Sequence, residues 1–385
     1  MKFLHLGDLH LGKTLGDFGL MEDQEYMLDQ FFKIIKDRSV DAVLIAGDVY
    51  DRAQPSEQAV GLLDDFISRL ARMDVRTFII SGNHDSEERL NYGRRLFSDS
   101  GIYIASKFEG QMESLQMEDE HGKLNVYMLP FVKASQVRYY YPDEEIKNYE
   151  DAVRVVIEKA DIDASERNII IAHQFVTDDG TDPKMAGSEG AAVQNVGLVE
   201  KISSRVFEDF DYVALGHLHS PQYIGSEHIR YAGSMLKYSL AEAGSDKSAP
   251  VITMNEKGST NIELVPLSPL RDLRHIKGKM EQLLRSENIT DTDDFIYVTL
   301  TDEDMINNAM NVVRQYYPNT VKLDYNNSHT RELEDFDIEK VAEDKPFDEL
   351  ISDFYRTMYG ADISDEEMEI MKSVAREAGV IHEAD

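Results

Sequence analysis

At 385 residues with 42% hydrophobic content, the chain exceeds one typical core and carries enough apolar side chains to fill two or more domains. Cysteine is absent, which excludes disulfides, thiolate nucleophiles and thiolate-held metals, and leaves histidine and oxygen donors for any ion. The 40 Lys plus Arg against 73 Asp plus Glu give a formal net charge of −33, so the overall field would not hold nucleic acid, and a partner with basic surface is expected.

In chain order, the reading begins with a strand in "KFLHLGD". Its apolar residues are interrupted by His and Asp, and no run of about 18 apolar residues follows anywhere, so a soluble, cytoplasmic chain without membrane association is expected. Met27, Leu28, Phe31, Phe32 and Ile35 then mark one face of a helix, which leads to the strand "DAVLIAGD". The helix "SEQAVGLLDDFISRLARM" leads to "RTFIISGNHD", with a further amphipathic helix expected after it. The strands "LNVYMLP", "NIIIAHQ", "DYVALGHLH" and "IRYAGSM" follow. This alternation predicts an α/β layered domain over residues 1–268. Residues 269–335 read as a small βαβαβ accessory domain, and residues 336–385 as an acidic helical tail. In that tail Phe347, Leu350, Ile351, Phe354 and Met358 share one helical face, and Ser364 with Glu367 forms a capping-box pattern.

Each apolar strand ends in Gly or Ala and is followed at once by polar residues, and in layered α/β sheets sites are built beyond the carboxyl ends of strands. Five such ends supply Asp8 and His10, Asp48, Asn83 and His84, His173, and His217 with His219. A lone histidine is more often a satisfied core or surface residue; five strand ends together point to metal. In D-x-H and H-x-H on an extended segment, residues two apart face the same way and can share a cation. Imidazole and carboxylate donors without thiolate suit Mn, Fe or Zn rather than Ca. Seven ligand groups would exceed the needs of one catalytic ion and suit two, with Asp48 as the candidate bridge. Phosphoester hydrolysis is the reaction that fits such a pair, because two cations can activate water and clamp phosphoryl oxygens.

The ordered set "GDLH", "GDVYD", "GNHD", "AHQ" and "GHLH" resembles the calcineurin-like metallophosphoesterase superfamily. Longer stretches, "LGDLHLGKTLGDFG", "GDVYDRAQPS", "GNHDSEERL", "LGHLHSPQ" and "YAGSMLKYS", are similar to the SbcD/Mre11 family of DNA-repair nucleases, strongly over residues 1 to about 240. The resemblance implies a layered sandwich with a small α+β capping domain and a C-terminal helical tail. It implies that Asp8, His10, Asp48 and His219 surround one ion and Asp48, Asn83, His173 and His217 the other, with Mn2+ as the expected metal. His84 would contact the scissile phosphate and protonate the leaving oxygen. Double-strand exonuclease and single-strand or hairpin endonuclease activity on DNA are implied, as are a homodimer formed through N-terminal-domain helices and a heterotetramer with an SbcC-like SMC-family ATPase gripped by the tail. A calcineurin-like phosphatase acting on a small-molecule or protein phosphoester is the alternative.

Lesser features complete the reading. Asp85 is expected to orient His84 or cap the next helix; Arg52 and Arg89 are open to phosphate contact or surface ion pairing. The tyrosines of "VRYYYP" are expected to pack rather than stack bases, and "GSEGAAVQNVG" reads as a flexible loop near the site.

Overall fold

The computed structural model describes residues 1–178, 181–185, 201–328, 347–359 and 362–377. Four parallel strands begin the first sheet: β1 (Lys2–Leu6), β2 (Ala42–Ala46), β3 (Arg76–Ile80) and β4 (Ile102–Ala105). The second sheet comprises β5 (Glu113–Asp119), β6 (Gly122–Leu129), β7 (Arg167–His173), β8 (Tyr212–Gly216), β9 (Gln222–Ile224) and β10 (Ser226–Tyr231), in the order β9-β10-β8-β7-β6-β5. The chain then returns to the first sheet through β11 (Ser248–Met254) and β12 (Thr260–Pro266), giving β12-β11-β1-β2-β3-β4.

The two sheets face each other across an apolar core. In β2, Ala42, Leu44 and Ala46 point into that core with Phe78 and Ile80 of β3 and Ile169 and Ile171 of β7. Val43 and Ile45 point the other way, against Phe31 of α1 (Met21–Arg38) and Phe66 of α2 (Glu57–Arg72). Both faces are covered, which explains why these strands read as unbroken apolar runs rather than alternating ones. The outer face of the second sheet packs Ile170 and Val213 against Val153 and Val156, with both valines on one helix (Tyr149–Glu158).

Five of the numbered strands are absent from the sequence reading: β4, β5, the three-residue edge strand β9, β11 and β12. The first is short, β5 and β12 are edge strands with mostly exposed or half-exposed residues, and β11 contains Pro250, which argues against a strand on propensity. The single helix expected after "GNHD" is instead two short ones, α3 (Glu87–Leu90) and α4 (Arg94–Ser98). Gly93 breaks them with φ +77, a left-handed turn that favours glycine.

Beyond residue 272, β13 (Leu273–Gly278), β14 (Phe295–Leu300) and β15 (Thr320–Tyr325) form a three-stranded sheet, with short helices Met280–Leu283 and Ala309–Arg314 between them, as the βαβαβ reading expects. By backbone contacts the chain divides into two compact units, one of residues 1–275, 291–297 and 317–322, the other of 276–290, 298–316 and 323–385. In the second unit the tail helices Phe347–Tyr359 and Asp365–Glu377 pair through the Tyr355 hydroxyl, which donates to Glu367 at 2.8 Å, and the Ser364–Glu367 capping box is formed. Of the expected apolar face, Leu350 and Ile351 are half-buried; the side chains of Phe347, Phe354 and Met358 lie outside the described ones, as do residues 187–197 of "GSEGAAVQNVG". Among the described residues no helix is long and apolar enough to cross a membrane.

One buried cation ties the sheets together at the end away from the strand-end polar clusters. Arg167, at the start of β7 and 1% exposed, donates to Asp119 of β5, to the Lys123 carbonyl of β6 at 3.3 Å and to the Asn255 carbonyl just after β11 at 2.9 Å. Its guanidinium holds the Asp119 carboxyl below the usual carboxylate range. Asp119→Ala leaves a buried guanidinium without its carboxylate, and a loss of about 3 kcal/mol is expected in urea unfolding. A depressed folded pKa stabilises above the unfolded value of about 4 and loses that contribution as pH falls below it. Wild-type stability is therefore expected to drop between about pH 4 and 2, and this limb to be shallower in Asp119→Asn. Equal acid sensitivity of the two proteins would exclude the clamp.

Candidate metal centre

The residues that follow β1, β2, β3, β7 and β8 meet at one end of the sandwich, so the five polar clusters singled out in the sequence do converge. They do so without extended geometry: Asp8, His10, Asp48 and His217 all have positive φ, at 51°, 45°, 47° and 99°. The D-x-H and H-x-H residues thus lie on strained turns after the strands, not on the pleat. Such backbone costs of order 1–3 kcal/mol per residue and persists only where the surroundings over-determine it.

The glycines that precede the ligand-type residues have a steric reason. A Cβ on Gly216 would lie 1.9 Å from the Ala46 carbonyl oxygen, and one on Gly82 would lie 2.1 Å from Asp48 Oδ1. Only a bare backbone lets the loops after β2, β3 and β8 close on each other.

Two half-sites emerge around Asp48. On one side, His10 Nε2 lies 3.0 Å from His219 Nε2 and 3.6 Å from Asp48 Oδ2, and donor atoms of Asp8, His10 and His219 lie within 4.8 Å of one another. On the other, His173 Nε2 lies 3.4 Å from Asp48 Oδ2 and 3.1 Å from Asn83 Oδ1, which is itself 3.0 Å from His217 Nδ1. Asp8 also lies within the 4.8 Å group formed with Asp48 and His173. Asp48 Oδ1 accepts the His84 N–H at 2.9 Å, leaving Oδ2 toward both histidine pairs.

Several observations show that cations fit this donor set. Asp8 is wholly buried, yet its Oδ2 has no hydrogen-bond partner. The Nδ1–H of His173 donates to the Ala46 carbonyl at 2.7 Å, which turns Nε2 toward Asp48 and Asn83. Asn83, whose side-chain oxygen faces two imidazole nitrogens, is an exposed residue, so the centre opens there.

Electrostatics carry the same message. Burial lifts Asp8 to about 6, and burial pushes His10 down to about 4 and His217 to about 3. For His173 burial opposes the charged form, but the Asp48 carboxylate overrides it and raises the group to about 9. Asp48 is likewise opposed by burial, yet His173 holds it well below the usual carboxylate range. Protons thus stand where divalent cations would provide the positive charge.

His84 is half-buried, its ring 5.0 Å from that of His10, and its Nδ1 lies 3.1 Å from the Asp51 carbonyl oxygen. Asp85 neither orients His84 nor caps the helix. Its carboxylate accepts from the backbone of Val49, Tyr50 and Gly82, locking the β2 and β3 loops together, while Ser86 is the cap. Arg52 is exposed, 3.4 Å from Asp51 Oδ2, and Arg89 is exposed on α3. In the tyrosine cluster, the Tyr141 hydroxyl donates to the Gly110 carbonyl and Tyr140 packs edge-on against Phe108, whereas Tyr139 is exposed.

Sequence reasoning missed the residues that support the centre. Asp51 lies 3.5 Å from His10 Nδ1 and 2.7 Å from Lys13, and the Tyr238 hydroxyl donates to the Leu9 carbonyl while its ring meets those of His10 and His219 edge-on. Glu242 and Lys247 lie buried behind His219. Asp51 stood in the quoted "GDVYD" and offered a signal; a single Glu and Lys more than 20 positions beyond "GHLH" offered none.

Comparison with known proteins adds to this geometry. Residues 1–221 match the calcineurin-like phosphoesterase family, and residues 269–359 match a family described as the type 5 capsule protein repressor C-terminal domain. A subunit of the nuclease SbcCD from Staphylococcus epidermidis is 33% identical over 363 residues, 93% of each chain. Among solved structures, a dimetal phosphatase from Danio rerio matches with a TM-score of 0.38 at 12% identity, over 70% of this chain and 99% of that one.

Proposed function

We propose, for a chain that belongs to the SbcD family of metal-dependent nucleases, that it is the nuclease subunit of an SbcCD-type DNA-repair complex. Its reaction is phosphodiester hydrolysis at a dinuclear centre, acting as a double-strand exonuclease and a single-strand or hairpin endonuclease. The observation that carries this reading is the convergence of Asp8, His10, Asp48, Asn83, His173, His217 and His219 at one end of the sandwich, with His84 beside them.

Asp8, His10, Asp48 and His219 would hold one divalent ion and Asp48, Asn83, His173 and His217 the other, with Mn2+ matched to these oxygen and imidazole donors. When bound, such a pair of ions supplies Lewis-acid polarisation of the phosphate and acidification of water. The chain's own residues do the rest. Asn83 contributes a neutral oxygen where the crowding of charge is greatest. His84, with Nδ1 engaged by the Asp51 carbonyl, has Nε2 available to touch the phosphate and protonate the leaving oxygen.

The partner reading rests on surfaces. The Staphylococcus epidermidis relative is by name one subunit of SbcCD, and the tail helix Asp365–Glu377 exposes Ile370 and Val374, apolar residues one turn apart. An SbcC-like SMC-family ATPase docked there would also supply the basic DNA-binding surface that a −33 chain lacks. Pairing of two copies through the N-terminal-domain helices is supported by Tyr92 and Leu96, 84% and 73% exposed next to the centre's own loop. Residues 269–335 would serve as the capping domain over the DNA.

Metal analysis separates binding from chemistry. Asp48→Ala is expected to lose both ions, whereas His84→Ala keeps its metal content and loses about 10²- to 10⁴-fold in DNA cleavage. Loss of metal from His84→Ala would overturn the role given to it. Deletion of residues 341–385 is expected to abolish co-purification with the ATPase while cleavage of short single strands persists; undiminished ATPase binding would refute the tail assignment.

A further inference from the structure

We propose that Glu242 and Lys247 are positioning residues that aim His219 at its ion. This deepens the metal reading above and rests on it.

His219 presents Nε2 to the centre, 3.0 Å from His10 Nε2, so its far nitrogen, Nδ1, must be the protonated one when Nε2 donates a lone pair. Nδ1 lies 3.5 Å from Glu242 Oε1. Glu242 is 1% exposed. Its other oxygen accepts from Lys247 Nζ at 2.6 Å.

Lys247 grips the same histidine from the opposite end. An ammonium has three N–H groups, and the Lys247 ammonium donates to Glu242 Oε2, to Ser234 Oγ at 2.8 Å and to the His219 carbonyl oxygen at 2.8 Å. One cation therefore fixes the backbone of His219 directly and its ring through Glu242. Arginine, with a planar fork, would not reproduce this trigonal set of acceptors.

A buried ion pair kept for stability alone is replaceable, because well-packed apolar residues usually serve as well or better. Here one oxygen of the pair's carboxylate faces an imidazole at the centre, and the ring of Tyr238, whose N–H donates to Glu242 at 3.2 Å, flanks both His10 and His219. That arrangement matches the carboxylate–histidine–metal relay, whose loss typically costs 10- to 100-fold in metal affinity. The second half-site has a different device, the His173 Nδ1–H bonded to the Ala46 carbonyl, so the two ions are supported independently.

The test is calorimetric titration of metal-free protein with Mn2+ alone, for wild type, Glu242→Gln and the Glu242→Gln/Lys247→Met double variant, which carries no unpaired buried charge. Wild type is expected to take up two ions. Both variants are expected to bind one ion about 10- to 100-fold more weakly and the other as in wild type, and thermal unfolding of the metal-free double variant is expected to stay close to wild type. Excess Mn2+ is expected to restore DNA cleavage to Glu242→Gln. Two wild-type affinities in Glu242→Gln would overturn the proposal. So would equal weakening of both ions accompanied by a lowered unfolding temperature in the double variant, the mark of a purely structural pair. Wild type that binds no Mn2+ would overturn the metal reading itself, a failure in which Glu242 has no part.

Discussion

Asp8 and Asp48 bring two buried carboxylates together, where their repulsion must be answered by positive charge. The surrounding histidines are the first answer. His173 takes a proton, Asp48 keeps its charge against it, and Asp8 rises toward neutrality. Divalent cations held here would answer the same demand more fully, offering a partner to Asp8 Oδ2 and leaving the imidazoles as neutral donors. The chemistry of hydrolysis fits this constraint: a pair of cations held by these residues would supply Lewis-acid polarisation of a phosphate and acidification of water.

The fold is what makes such crowding durable. Ligand-type residues on left-handed backbone would relax if their loops were alone. They are held because each loop leaves a strand buried on both faces and because loops from different strands grip each other. Asp85 joins the β2 and β3 loops, and the His217 N–H donates to Asp8 Oδ1 at 2.9 Å, tying the second sheet to the first. At the other end of the sandwich Arg167 prevents the sheets from sliding apart. Rigidity at the core thus sustains strain at the rim.

How far the sequence spoke depended on whether a feature was local. The eight residues of the centre were legible because each ends an apolar strand or follows one within a few positions, and glycines beside several of them mark backbone that cannot carry a Cβ. The strands β2, β3, β7 and β8 and the Ser364 capping box were legible for the same reason. Where one helix was expected after "GNHD", Gly93 caps the start of the second of two short ones. Pro250 hid a central strand whose neighbours tolerate it, and the edge strand Glu113–Asp119 looked like loop because only one of its seven residues is fully buried. Glu242 and Lys247 were illegible in principle: their meaning lies in the geometry around His219, and no spacing rule connects them to it.

The central claim is that one carboxylate, Asp48, serves two ions. Anomalous diffraction at the manganese edge from crystals grown with Mn2+ tests it most directly. Two peaks about 3.5–4 Å apart are expected, one next to Asp8, His10, Asp48 and His219 and the other next to Asp48, Asn83, His173 and His217. A single peak, or two peaks that do not share Asp48, would contradict it.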